Sequence, residues 1–81
     1  MIPKIKGVNI HSARGIIPYF VGSPAYSHPD NPMITEIRSK SLEFSDGIAF
    51  IYEILGENET LIAELIDVPI EVFFDLLESE V

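Results

Sequence analysis

Tyr26, His28 and Asp30 occupy alternate positions in one short stretch, and a histidine flanked by a phenol and a carboxylate can titrate near neutral pH or ligate a metal. Glu71 and Asp75 are four apart, so on a helix they would lie one turn from each other, close enough to share a divalent cation or to face a basic partner. His11-Ser12 sets a base beside a hydroxyl, but neighbours in sequence are not a nucleophile and base held in geometry. Two histidines, no cysteine and no glycine-rich phosphate loop leave little else for catalysis or for a cofactor. No catalytic residue, metal or cofactor is therefore assigned, and the chain is read as a non-enzyme. A small metal-binding or enzymatic domain built on Tyr26, His28 and Asp30 is the chemical alternative.

The charge is divided along the chain. All five bases (Lys4, Lys6, Arg14, Arg38 and Lys40) fall in the first 40 residues, together with two of the thirteen acids. Residues 41–81 hold the remaining eleven acids and no base, which brings the net charge to -8. Such asymmetry favours a basic protein partner, or pairing of unlike halves in self-association, and disfavours nucleic acid. A nucleic-acid surface, if there is one, would be the N-terminal hairpin with Lys4, Lys6 and Arg14. Apolar residues make up 47% of the chain, more than a small domain hides, so part of the apolar area is expected to face a partner or a second copy.

The elements that would position these residues follow from pattern and punctuation. Lys4 to His11 reads as a strand in which a bulge at Gly7 brings Ile5, Val8 and Ile10 to one face. Ser12 to Gly15 is a tight connection into Ile16 to Val21, where Pro18 places the strand at an edge or delays its start until after the proline. Residues 23–32 contain three prolines and form a loop, and the strands of 33–66 follow. In that region a bulge or bend near Arg38 to Ser41 would repair a change of apolar parity, and Ser45-Asp46-Gly47 marks a hairpin turn. Ile48 to Leu55 is apolar at nearly every position, as in a central strand buried on both faces.

After Pro69, the spacing of Ile70, Phe73, Phe74 and Leu77 predicts an amphipathic helix over 68–80, with Glu71, Asp75 and Glu78 on its polar face. Asp67 to Leu77 also resembles the strand-to-helix junction that ends small domains of the KTSC type. The likeness spans eleven residues, and no function is carried over from it.

The expected fold is α+β: a single domain (hairpin 1–22, loop 23–32, strands 33–66, helix 68–80) with a bent antiparallel sheet of about five strands. That sheet either stays open or closes toward a small, partly open barrel, with the C-terminal helix across it. The longest apolar runs are too short for a membrane span and the N-terminus has no long apolar leader, so a cytoplasmic protein is expected. Its expected role is to present an acidic and apolar surface, with Glu71, Asp75, Glu78, Tyr26, His28 and Asp30 as partner-binding residues. The partner would carry a basic surface or be another copy of the chain.

Overall fold

The computed structural model describes residues Lys4–Asp75. They form six strands: β1 (Lys4–Ser12), β2 (Gly15–Phe20), β3 (Glu36–Phe44), β4 (Gly47–Leu55), β5 (Leu61–Ile66) and β6 (Ile70–Asp75). The strands make two three-stranded antiparallel sheets, ordered β2-β1-β6 and β3-β4-β5. The single open or barrel-like sheet expected from the sequence is thus replaced by two sheets, with no closed barrel. The last strand leaves the second sheet and returns to lie beside the first.

The expected C-terminal helix is absent among the described residues. Ile70 to Asp75 pairs with β1 as β6, and the rest of the predicted helix, including Glu78, lies outside the described residues. Two periodicities compete in this segment. Ile70, Phe73 and Phe74 satisfy helical spacing, but Ile70 and Val72 also alternate with Glu71, and β-branched and aromatic residues favour a strand. The helix would have set Glu71 and Asp75 at neighbouring positions with nothing to neutralise them. The strand lets Ile70 and Val72 pack on the core while Glu71 faces outward. Pro69 is tolerated because it precedes the first rung, and its carbonyl accepts a hydrogen bond from the His11 amide at 2.9 Å. The likeness to a strand-to-helix junction falls with the helix.

The first hairpin matches its reading closely. The β1–β6 register shifts between Ile5 and Gly7, and this bulge turns Ile5, Val8 and Ile10 toward the core together. Gly15 takes a φ of 122°, and the Ser12 hydroxyl closes the turn by donating to the Gly15 carbonyl at 2.7 Å. Pro18 sits in β2, at the edge of its sheet. Gly7 has a second role: a Cβ there would run into the Phe20 ring. Without one, Phe20 lies across β1 and meets Phe73 at a centroid distance of 5.6 Å.

The core lies between the sheets. Val8 and Tyr19 come from one, Ile37, Ile54 and Leu65 from the other, and Ala25 and Ile34 from the connection between them. Among the described residues nine apolar side chains are buried while twelve large ones stay exposed, so the apolar surplus is on the surface.

The β3–β4 ladder runs from Glu36↔Leu55 to Phe44↔Gly47 without a register shift. The bulge expected near Arg38 to Ser41 is therefore not formed. The change of parity is real and stays uncorrected: Ile37 faces the core, whereas Leu42 and Phe44 face the opposite side. β4 is the central strand, as expected, but only its second half is enclosed. Ile51, Ile54 and Leu55 are buried, while Ile48 and Phe50 are exposed.

Candidate functional site

The proline-rich segment folds back on itself. Pro24 bridges Met33, the Ala25 amide donates to the Pro32 carbonyl at 2.8 Å, and the Ile34 amide donates to Ser23 at 3.0 Å. Ala25 and Ile34 are fully buried, so the connection is a plug on the core rather than an extended strap. Within it, no hydrogen bond joins the side chains of Tyr26, His28 and Asp30. Nε2 of His28 lies 3.1 Å from the hydroxyl of Tyr19, which also sits 3.1 Å from the Ser27 hydroxyl. Tyr26 and Asp30 point into solvent, Tyr26 with 71% of its surface exposed. The histidine's geometry pins the plug to β2. No group of three potential ligands that could hold a metal occurs among the described residues.

The other sequence candidates scatter. Glu71 faces outward from β6, with one carboxylate oxygen 3.0 Å from His11 Nε2, while Asp75 is opposite Lys4 at the far end of the same ladder. Lys4 and Arg14 are at opposite ends of the first hairpin, about 27 Å apart along an eight-residue rise. The three N-terminal bases thus do not form one surface. Ser12 caps the β1–β2 turn. Lys40 is paired with Glu53 at 3.3 Å. Arg38 is bound to Glu36 (3.0 Å) and Glu59 (3.1 Å), and its hydrogen bonds to Glu36 hold that carboxyl below the ordinary glutamate range.

The exposed apolar residues do gather. β5 pairs with β4 only as far as Ile51↔Ile66. Next, Asp67 enters the left-handed region with a φ of 53°, and Val68 and Pro69 carry the chain to the other sheet. Gly47 to Phe50 keep β3 as their sole strand neighbour among the described residues, and with Lys40 to Phe44 they form a two-stranded arm.

Leu42, Phe44, Ile48 and Phe50 on this arm are 44–60% exposed. Ile48 and Phe50 lie on the core-facing side and Leu42 and Phe44 on the other, as the pairs Glu43↔Ile48 and Leu42↔Ala49 require. Beside the arm runs an open groove of about 660 Å³, floored by Ile48, Phe50, Tyr52 and Ile70 and edged by Asp46 and Asp67. No base lines it. A second groove, near 980 Å³, has Lys4, Lys6 and Arg38 in its wall, but Glu36 and Asp75 stand among them.

None of the arm residues is among the site candidates proposed from the sequence, though a signal was present. The unrepaired parity change at Arg38 to Ser41 means that one apolar set has no core to face.

Compared with protein-family models, curated proteins and solved structures, the chain matches none. No helix among the described residues is long and apolar enough to cross a membrane.

Proposed function

We propose that the protein is a non-enzymatic interaction module, cytoplasmic in setting, whose docking element is the β3–β4 arm. It presents an apolar surface rimmed with acid to a protein partner or to a second copy. One observation carries this: Leu42 and Phe44 on one face and Ile48 and Phe50 on the other are all exposed on a ribbon that, among the described residues, has no strand neighbour on one side. Apolar clusters of this kind mark interaction surfaces on small proteins. The charge supports a basic partner, because the groove edges carry Asp46 and Asp67 and the chain carries a net -8.

The test compares the wild-type chain with the double variant Phe44→Ser, Phe50→Ser in affinity capture from host extract and in sedimentation at high concentration. Both rings are more than half exposed, so the fold should tolerate the change to within about 0.5 kcal/mol per site. Capture or self-association that the variant abolishes supports the role. Binding that the variant leaves intact, or a strict monomer that captures nothing, overturns it.

A further inference from the structure

We infer that the vacant edge of β4, from Gly47 to Phe50, accepts an extended peptide segment of a partner protein, one that alternates basic with apolar residues. The segment adds as a strand in the place β5 gives up. This proposal rests on the arm being the docking element and adds what docks there and how.

Three observations converge on this edge. First, the column beside β4 is occupied by β5 up to Ile66 and then emptied by the turn at Asp67, which leaves about 13 Å of strand, four residues long, without a strand neighbour on that side among the described residues. Along such an edge every second residue aims its N–H and C=O outward, and an added strand satisfies them.

Second, other strand edges carry the features that block such pairing. β2 has Pro18, β3 carries Glu36, Arg38, Lys40 and Glu43, β5 carries Glu64, and β6 carries Glu71 and Asp75. Gly47 to Phe50 contain neither proline nor charge. The edge that is left open is also the one flanked by an apolar groove.

Third, the charge selects the occupant. Asp46 and Asp67 mark the two ends of the vacant stretch, with no base in the groove. A second copy docked edge to edge would bring the same carboxylates against one another, on chains that each carry -8. A lysine- or arginine-bearing strand would neutralise them, while its apolar residues cover Ile48 and Phe50.

The test is a titration of the full chain with a short synthetic peptide alternating lysine with valine, followed by amide chemical shifts. Controls are a glutamate–valine peptide and a lysine–valine peptide N-methylated at alternate amides. The expected result is shifts centred on Gly47 to Phe50 and on Asp67 and Val68, with no binding of either control. Asp46→Asn and Asp67→Asn should each weaken binding by about two- to fivefold, the scale of an exposed ion pair. Asparagine keeps both backbones, since it suits turns and the left-handed region as aspartate does.

Shifts centred on β2 or on the Lys4–Lys6 groove, equal binding of the glutamate peptide, or tolerance of N-methylation would overturn the inference. So would a dimer formed through Gly47 to Phe50 in the absence of peptide. If no peptide binds yet partner capture still depends on Phe44 and Phe50, strand addition is wrong and the arm's role stands. If capture is also indifferent to those rings, both fall.

Discussion

Ile51 pairs with Ile66, and this is the last rung that β4 shares with β5. On one side of that rung β4 is an interior strand that supplies Ile54 and Leu55 to buried positions; on the other it is half of an exposed arm. The division follows from Asp67, whose left-handed backbone ends β5 and sends the chain to the opposite sheet. On the proposed role of the arm, structure and recognition occupy two halves of one strand.

Substitutions on the two halves should separate accordingly. Ile54 has no exposed surface, and Ile54→Ala should cost about 2–5 kcal/mol in urea denaturation, through lost burial and the cavity left behind. Phe50 is 59% exposed, and Phe50→Ala should change stability by no more than about 0.5 kcal/mol. Similar losses at the two sites would show that the arm is packed rather than free.

Gly7→Ala should destabilise the first sheet by about 1–3 kcal/mol, because the added methyl drives Phe20 off β1 and away from Phe73. Combining it with Phe20→Ala should cost less than the two changes summed, since the clash requires both groups. Additive losses in thermal denaturation would mean that the glycine is needed for its backbone alone.

Tyr19→Phe removes the hydroxyl that meets both Ser27 and His28, and should lower stability by about 0.5–1.5 kcal/mol. Because His28 is engaged there and no ligand cluster surrounds it among the described residues, adding zinc or nickel should leave its ring resonances in place. A metal-dependent shift would restore the loop as a ligand site.

What the sequence disclosed was mostly local. The bulge at Gly7, the turn at Gly15, the edge position of Pro18 and the central place of β4 each depend on residues close together in the chain. Ile70 to Asp75 is ambiguous in the sequence because six residues satisfy both the helical and the strand period, and the partner that decides between them, β1, is about sixty positions away. His28 reads as chemistry in the sequence, although it lies in the loop and its geometry is set by Tyr19 on β2. The arm is hidden in the sequence for a related reason: the apolar run of β4 has the composition of a buried strand, and only the end of β5 exposes half of it.

Acid should weaken the fold partly through Glu36. Hydrogen bonds from Arg38 hold its carboxyl below the ordinary range, so its stabilisation is present above the unfolded carboxylate pKa and is lost as pH falls through the lower folded value. Glu36→Gln should therefore be less stable than wild type near neutral pH and converge with it in strong acid. A gap that persists in acid would assign the effect to something other than this charge.

The most direct measurement is hydrogen exchange at the amides of Gly47 to Phe50, with and without the lysine–valine peptide. Binding should slow the exchange of those amides that face the vacant side of β4 and leave β2 and the outer edge of β3 unchanged. Protection appearing at β2 or β3 instead, or binding that protects no β4 amide, would contradict strand addition at this edge.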